Sequence, residues 1–557
     1  MTSETGRDNN AVMSLPPEIR SSRLSEERAF ALIQHGQVCL KSGDFPAAAD
    51  AAQALLKSDP RSVEGWVLLC SALIRMGSVD DDRALADALG AIPVTHPAHS
   101  LLAVERCRVL ANRGRCGEAV ELARMVEAHV RLSPRQHDIL SNTYTTCGLF
   151  DEAYRHSLLA VEGLPDDAAA IYNKAFSLRN LGRIEEAVTD FRRLVAKWPN
   201  HSLGYFSLAD SKRWSSEDNH IVQIEAALQS AQISDDDRPR LNYALFKEAQ
   251  DIGDYSKAWS ALTTGALQAH ARAPYLLQER KAYTDALIRF FNDEVKTTEP
   301  DGSAPTPIFI VGLPRSGTTL VERIFSAHPD VTDMGETHGF ALAIRDAVGA
   351  PRFGDLDVGI VNRFAQADWA KVAEYYLRSL SYRKPSTRFF TEKLPHNYHL
   401  VGAMKRAFPH ARVVHLRRAP MDSLFGAYKV LFGQGSYLWS YRFEDLAAAY
   451  KMYRKLTDHW RALLGEGFTE IILEQLIADP EPRIRELLRS TGLDFHPDCL
   501  SPHQASGGVS TASSAQVRQP INSQGVGAWR KYTDGFEPLR KLLQADGFVD
   551  AEGNPVW

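Results

Sequence analysis

A short strand followed by a glycine-containing turn and a helix constrains the fold of this chain more than any other feature. Residues 308–311 are apolar and largely β-branched, which is typical of a buried strand. Residues 312–319 follow the spacing G-x-x-x-x-G-T-T, and residues 320–325 have the apolar spacing of a helix. This order predicts a phosphate-binding loop, with Thr318 at the position that is lysine in nucleotide hydrolases. A tight turn in an ordinary α/β domain is the alternative.

The residue types in the loop suit an oxyanion. A helix start leaves backbone N–H groups without internal partners and carries partial positive charge. Gly312 lets the backbone wrap closely around an anion. The guanidinium of Arg315 is the nearest cation and matches a tetrahedral oxyanion, and the neighbouring hydroxyls add donors. The predicted anion-binding residues are Pro314, Arg315, Ser316, Gly317, Thr318 and Thr319.

The string Pro-Arg-Ser-Gly-Thr-Thr at residues 314–319 resembles the 5′-phosphosulfate loop of sulfotransferases. Those enzymes take the sulfuryl group from 3′-phosphoadenosine-5′-phosphosulfate (PAPS). The match is to the branch that includes tyrosylprotein sulfotransferases and many bacterial enzymes, and it covers roughly residues 305–532. The resemblance implies PAPS as co-substrate. No carboxylate cluster surrounds the loop in the sequence, so no metal is expected.

A second block, residues 412–422, is a strand followed by a basic turn, and it resembles the 3′-phosphate motif of the same family. There an arginine and a serine eight residues later hold the phosphate. Arg418 fits the arginine, but the serine position is Gly426. Ser423, Tyr428 or a backbone N–H could take its place. Without the family, the basic pair at the end of this strand would be interpreted as solvated surface residues.

A third block lies near the C-terminus, at residues 511–521 and 525–531. It resembles the last block of the tyrosylprotein branch, in which a serine three residues before a Gln-Val pair contacts the sulfuryl region. That serine is Ser513 here. The following Gly-x-Gly-x-Trp-Arg segment resembles the loop that covers the cofactor. This resemblance implies that Trp529 forms an apolar wall and that Arg530 adds a cation.

The resemblance also implies the catalytic groups. Glu336, in Gly-Glu-Thr, matches the proposed general base of the tyrosylprotein branch. His338, two residues later, is the rival, because cytosolic sulfotransferases use a histidine and both side chains are ordinary bases. For stabilisation of the leaving phosphate, Arg315 and Lys393 are expected, Lys393 because it follows a strand in Glu-Lys-x-Pro. Surface roles are the alternative for each.

Strand and helix patterns alternate through the C-terminal half. Strands are predicted at 308–311, 388–391, 412–416 and 470–473, and helices near 320–327, 368–380, 399–407, 443–464 and 481–491. Such alternation predicts a central parallel sheet with helices on both faces. Ligands of such sheets bind at the carboxyl ends of the strands, where both predicted phosphate turns lie.

The N-terminal half contains a repeat in which a glycine is followed by an alanine five residues later. The glycines are Gly43, Gly114, Gly148, Gly182 and Gly253, and two successive steps are 34 residues long. This is the period of tetratricopeptide repeats, in which small residues let paired helices approach closely. The predicted fold class is an all-α tetratricopeptide solenoid followed by an α/β, P-loop-like sulfotransferase domain with a central parallel sheet. A generic helical bundle is the alternative for the repeats.

The predicted domains are a disordered N-terminus at 1–25, tetratricopeptide repeats at 26–290, a linker at 291–306 and a sulfotransferase domain at 307–557. The net charge of −5 does not favour nucleic acid as a partner. No run of 18 apolar residues predicts a membrane span, and the polar N-terminus does not resemble a secretory signal. A cytoplasmic enzyme is therefore expected, which suits a donor made in the cytosol.

These patterns together predict a PAPS-dependent sulfotransferase whose acceptor is a hydroxyl, such as a protein tyrosine, a glycan or a small phenol. The repeat surface is expected to bind a protein or peptide partner. The alternative is a catalytically degenerate scaffold protein that binds partners through its repeats, which Gly426 would favour. A nucleotide kinase or hydrolase is a third possibility, which the missing loop lysine disfavours.

Overall fold

A computed structural model describes residues 26–76, 82–293, 298, 305–351, 356–383, 385–433, 436–505 and 517–557. The predicted N-terminal segment 1–25 and most of the predicted linker therefore lie outside the described residues. The chain divides into two compact units, Met1–Cys147 and Gly148–Trp557. In the ranges just given, none of the helices combines the length and apolarity that a membrane crossing requires.

The described part of the first unit is helical. Neighbouring helices pack in pairs through buried alanine and leucine side chains, as in α1 and α2. The helices are α1 Glu26–Ser42, α2 Phe45–Ser58, α3 Val63–Met76, α4 Asp82–Ala91, α5 Pro97–Asn112, α6 Cys116–His129 and α7 Pro134–Thr146.

The second unit begins with further helices and continues into a sheet. The helices before the sheet are α8 Phe150–Gly163, α9 Ala168–Asn180, α10 Ile184–Lys197, α11 Ser202–Ala209, α12 Ile221–Gln229, α13 Arg238–Asp251, α14 Tyr255–Arg272 and α15 Leu277–Phe290.

The glycine and alanine repeat has a direct structural basis. Each repeated glycine lies in the turn between two helices with a positive φ, from 72° to 86°, a conformation that glycine adopts at low cost. Each alanine five residues later is fully buried, where a larger side chain would push the paired helices apart. The helical repeat region that the sequence predicts is thus confirmed. The alanines are Ala48, Ala119, Ala153, Ala187 and Ala258.

The sheet has five strands among the described residues, all parallel, in the order β2-β3-β1-β4-β5. On the central strand, Phe309 and Val311 enter one apolar core while Ile308 and Ile310 enter another. Helices therefore cover both faces, as predicted. The strands are β1 Thr306–Gly312, β2 Val331–Asp333, β3 Phe389–Lys393, β4 Arg412–Arg417 and β5 Phe468–Ile472.

The helices that follow β1 complete the second unit. They are α16 Thr318–Ser326, α17 Gly339–Ala347, α18 Val358–Val361, α19 Trp369–Ser379, α20 Val401–Ala407, α21 Pro420–Tyr428, α22 Phe443–Leu464, α23 Leu473–Ala478, α24 Pro480–Thr491 and α25 Thr533–Ala545. The predicted strands and helices are all present with shifts of a few residues at their ends. The three-residue strand β2 was not predicted, because so short a segment has no periodicity to detect.

The later repeat helices share a core with the sheet. One buried cluster runs from Ile171 in α9 through Phe291 to Phe309 in β1. Phe291, which the sequence assigns to a linker, is fully buried and its ring lies 5.8 Å from that of Trp460. In addition, the Tyr243 hydroxyl in α13 donates to the backbone carbonyl of Tyr428 at 3.0 Å. The domain boundaries given above remain predictions. In the structure, however, helices α8–α15 pack against the sheet in one core.

Candidate active site

The loop between β1 and α16 contains positions where a side chain would clash with neighbouring atoms or strain the backbone. A Cβ on Gly312 would lie 2.7 Å from the Leu416 carbonyl oxygen and 2.9 Å from Ser316 Oγ. Gly317 has a φ of 101°, and Arg315 takes the left-handed region at 68°, which is uncommon for a residue with a Cβ. The loop therefore makes a tight concave turn immediately before the N-terminus of α16, where N–H groups lack helical partners.

The hydroxyl groups of this turn are buried. Ser316 is 1% exposed, and within the described ranges its Oγ has no hydrogen-bond partner. Thr318 and Thr319 are also buried, as is Pro314. A buried hydroxyl without a partner is costly unless a ligand satisfies it. The loop thus fits an anion that accepts from Ser316 and the first N–H groups of α16.

The two predicted phosphate turns meet through their arginines. Arg418 lies directly after β4, and its Nη1 donates to the Arg315 carbonyl at 2.7 Å. Its Nη2 donates to the Gly525 carbonyl at 2.5 Å, which attaches the C-terminal loop. Arg418 Nε is buried and makes no hydrogen bond in the described part of the chain. Burial lowers the pKa of Arg315 to about 10 and also lowers that of Arg418, so both remain cationic at neutral pH.

Gly426 makes room for Arg315. A Cβ on Gly426 would lie 2.8 Å from the Arg315 Cβ, which is closer than two carbon atoms can approach. The left-handed backbone of Arg315 brings its side chain against α21 at this point. The absence of the family's serine is therefore coupled to the conformation of the loop arginine.

Replacing Gly426 with serine is accordingly expected to destabilise the protein by about 1–3 kcal/mol, the usual range for overpacking a buried site. The measurement is the midpoint of chemical unfolding. Gly433→Ser is the matched control, because a Cβ on the exposed Gly433 would meet no atom within 4 Å. Equal midpoints for the two variants would contradict this account of Gly426.

An ion cluster lies beside the loop, at the end of β3. Lys393 is fully buried, and its ammonium contacts Glu336 Oε1 and lies 3.5 Å from Glu322 Oε2. Because β1 and β3 pair with Ile310 opposite Lys393, the cluster is two residues from the glycine that opens the loop. Glu322 is buried in α16, whereas the Glu336 side chain is 37% exposed.

The charges in this cluster depend on one another. Burial opposes the charged form of Lys393, but the carboxylates of Glu322 and Glu336 outweigh it and raise the pKa of Lys393 above its usual value. Burial raises the pKa of Glu322 well above its usual range, against the attraction of Lys393. The ammonium therefore remains charged, and it is held between one buried and one solvent-accessible carboxyl group.

A second buried carboxyl group supports this end of β3. Glu392 accepts from the Tyr376 hydroxyl and from Asn397 Nδ2, the latter at 2.7 Å. Burial raises the pKa of Glu392 to about 8, so that it is largely protonated at neutral pH. Since successive side chains of a strand point to opposite faces, Glu392 fixes the strand from the face opposite Lys393.

The remaining predicted residues have different surroundings. His338 is exposed at the N-terminus of α17. Ser423 is buried within α21. Ser513 lies outside the described residues.

Trp529 and Arg530 lie in a short 3-10 helix and contact the C-terminal segment. Trp529 is buried against Gly553. Arg530 is exposed, and it donates to the Glu552 carbonyl at 3.1 Å and to Asn554 Oδ1 at 2.8 Å. Both contacts join Arg530 to the C-terminal segment. Its role in cofactor binding stays a prediction, whereas Pro314–Thr319, Arg418, Lys393 and Glu336 lie at neighbouring strand ends.

Two residues near the site were missed by sequence reasoning. Glu322 lies one helical turn after Thr318, so helical spacing from the loop could have identified it. Lys429 directly follows α21, its charge interacts with those of Arg315 and Arg418, and nothing in its local sequence marks it.

Comparison with known proteins agrees with this organisation. Residues 307–497 match the model of the sulfotransferase family, and residues 33–93 and 169–201 match tetratricopeptide-repeat models. An uncharacterized protein of Aquifex aeolicus is 27% identical over 401 residues, covering 71% of this chain and 52% of that protein. This chain therefore spans about half the length of that relative.

A protein-tyrosine sulfotransferase 1 of Danio rerio is 24% identical over 248 residues, which are 40% of this chain and 65% of the relative. Among solved structures, a sulfotransferase domain from the curacin biosynthetic pathway covers 44% of this chain and 98% of its own, with 15% identity and a TM-score of 0.31.

Proposed function

We propose that this protein, in which tetratricopeptide repeats precede a sulfotransferase domain, transfers the sulfuryl group of PAPS to an acceptor hydroxyl. The observation that carries the proposal is the buried, unpartnered hydroxyl of Ser316 at the start of α16, beside the pair formed by Lys393 and Glu336. An anion site next to a cation and a carboxylate contains the parts that sulfuryl transfer requires.

In the proposed reaction, Glu336 accepts the proton of the acceptor hydroxyl. At the same time the oxygen of that hydroxyl forms a bond to the sulfur of PAPS. The bond between sulfur and the bridging oxygen of the 5′-phosphate breaks, and its electron pair stays on that phosphate. The products are a sulfate ester and 3′,5′-adenosine bisphosphate. Glu336 suits the role because its side chain reaches solvent, whereas Glu322 is enclosed.

Lys393 would stabilise the charge that develops on the leaving phosphate, together with Arg315 and the N-terminus of α16. In the structure Lys393 contacts Glu336, so the reaction requires that contact to be exchanged for contacts to donor and acceptor. Glu322, on the other side of the ammonium, keeps Lys393 paired during the exchange.

The acceptor class is inferred from the relatives and the repeats. Protein-tyrosine sulfotransferases are among the relatives, which favours a protein tyrosine, while a glycan is the other acceptor we consider. The tetratricopeptide repeats favour a protein or peptide partner. We place the reaction in the cytoplasm, where the donor is made, and propose that it needs no metal.

The proposal is tested by calorimetric titration of the protein with 3′,5′-adenosine bisphosphate, with ATP as the control ligand. We expect the bisphosphate to bind and ATP not to bind, because the loop lacks the lysine that nucleotide hydrolases use. Binding would then justify a search for acceptors with labelled PAPS. If neither ligand binds, the donor assignment is wrong and the scaffold function becomes the better hypothesis.

A further inference from the structure

The backbone immediately before Glu336 is held by an arginine from a neighbouring segment. Arg383 lies in the short 3-10 helix Ser381–Arg383, which follows α19. Its Nη2 donates to the Asp333 carbonyl at 2.9 Å, and its Nη1 donates to the Met334 carbonyl at 3.0 Å. The planar fork of a guanidinium suits two consecutive carbonyls of this kind. Arg383 thus fixes the end of β2, directly ahead of the turn that leads to Glu336.

That turn is centred on Gly335. Gly335 has a φ of 68°, and its N–H donates to Asp333 Oδ1 at 2.8 Å. Its carbonyl accepts from the Lys393 N–H at 3.0 Å, so the turn is attached to the end of β3. Glu336 follows at once, and its carboxylate contacts the Lys393 ammonium. The position of the base relative to its lysine partner therefore depends on how this turn is held.

The segment is also fixed beyond Glu336, at the first residue of α17. A Cβ on Gly339 would lie 2.4 Å from Ser379 Oγ, so the start of α17 is in close contact with the end of α19. Ser379 in turn donates to the Tyr376 carbonyl at 2.6 Å, within its own helix. Glu336 consequently lies between two anchors, Arg383 before it and Ser379 after it.

A turn of the repeat region encloses the arginine. Gly148 is the first residue of the second unit and precedes α8, and a Cβ on it would lie 3.1 Å from Arg383 Nη1. A Cβ on Gly335 would lie 3.5 Å from the same nitrogen. Both glycines have a positive φ, which L side chains rarely adopt. The guanidinium therefore fits between two backbone turns, one from the repeats and one that leads to Glu336.

We propose that Arg383 is a positioning residue for Glu336, and that the repeat turn at Gly148 keeps its guanidinium in place. This inference rests on the proposed function, in which Glu336 is the general base. Without Arg383, the carbonyls of Asp333 and Met334 lose these two bonds and the following turn is free to shift. A displacement of about 1 Å at a catalytic group can cost about 10²-fold in rate, because proton transfer depends on distance.

The first measurement is hydrogen–deuterium exchange of the backbone amides of residues 333–339 in the full-length protein. Arg383→Met should raise their exchange rates about tenfold or more, because local opening no longer breaks two charge-assisted bonds. Arg383→Lys keeps a cationic donor and should restore most of the protection. Arg378→Met is the matched control, because Arg378 is exposed at the end of α19. Unchanged exchange in Arg383→Met would overturn the proposal.

A pair of glycine variants tests the contribution of the repeat turn. Gly148→Ala and Gly253→Ala both place a Cβ on left-handed backbone, at φ values of 72° and 86°. Only the first meets Arg383, since a Cβ on Gly253 would have no atom within 4 Å. Gly148→Ala should therefore raise exchange at residues 333–339, whereas Gly253→Ala should leave it unchanged. Equal exchange in the two variants would overturn the role of Gly148.

Turnover decides whether Arg383 acts through Glu336. With labelled PAPS and a tyrosine-containing peptide as acceptor, Arg383→Met should lower turnover about 10- to 100-fold and retain affinity for 3′,5′-adenosine bisphosphate. In the Glu336→Gln background the same substitution should cost little, because a base that is absent cannot be misplaced. An equal loss of turnover in both backgrounds would overturn the positioning role.

Failure of the proposed function is distinguishable from failure of this inference. If the parent protein does not bind the bisphosphate, the donor assignment fails, and Arg383 keeps only the structural role that exchange reports. If the parent binds the bisphosphate but does not modify the peptide, the exchange of residues 333–339 decides the proposal. If the parent is active and Arg383→Met matches it in both exchange and turnover, only the role of Arg383 is wrong.

Discussion

Replacing Lys393 with methionine is expected to lower the turnover of sulfuryl transfer by about 10²–10³, because the charge on the departing phosphate loses its nearest buried cation. The substitution also leaves Glu322 without its partner in the interior. Burial already favours the neutral form of Glu322, so the unpaired carboxyl group takes up a proton, and an unsatisfied buried polar group costs about 1–3 kcal/mol of folding free energy. Lys393→Met should therefore be both inactive and less stable than the parent protein.

The double variant Lys393→Met with Glu322→Gln separates these two effects. It replaces the carboxyl group that has lost its partner with an amide that needs no proton, so the midpoint of chemical unfolding should move back toward that of the parent. Turnover should stay low, since no cation has been restored. A double variant that regains turnover together with stability would show that Lys393 has only a structural role.

Replacing Glu336 with glutamine is expected to lower turnover by about 10²–10⁴, the usual contribution of a general base. Affinity for 3′,5′-adenosine bisphosphate should survive, because the glutamine oxygen can still accept from Lys393 and Glu322 continues to pair with it. The measurements are steady-state turnover with labelled PAPS and calorimetric titration with the bisphosphate.

Two companion variants sharpen this result. Glu374→Gln is the matched control, because Glu374 is exposed on α19. His338→Asn tests the rival base and is expected to leave turnover within a few-fold of the parent value, compared with the larger loss from a true base. Loss of turnover in His338→Asn with retention in Glu336→Gln would reverse the assignment.

Local patterns predicted much of the fold. Gly114, Gly148 and Gly182 are spaced by the repeat period, and each occupies the left-handed turn that the period requires. The β1–α16 loop was predicted because strand, turn and helix signals follow one another directly, and the structure places that loop at the end of the central strand. In both cases the residues of a short segment determine its backbone conformation, so the segment can be identified without knowledge of distant contacts.

Contacts between distant segments could not be predicted. The pairing of Lys393 with both Glu322 and Glu336 depends on the β1–β3 register and on the direction of α16. The position of Arg530 against the C-terminal segment depends on a turn at residues 550–554. A sequence pattern predicts the periodicity of a helix or strand and its buried face, but it does not predict which other element packs against that face. These interactions could therefore not be predicted from the sequence.

The sequence by itself determined the two kinds of architecture, the turn between β1 and α16 and the residue types in that turn, because these depend on backbone propensities and on residues close together in the chain. Only the tertiary structure decided that Gly426 packs against Arg315, where a Cβ would clash, and that α8–α15 share a core with the sheet. These features arise from close packing between segments far apart in sequence, where the volume and charge of one side chain set what its neighbour can be.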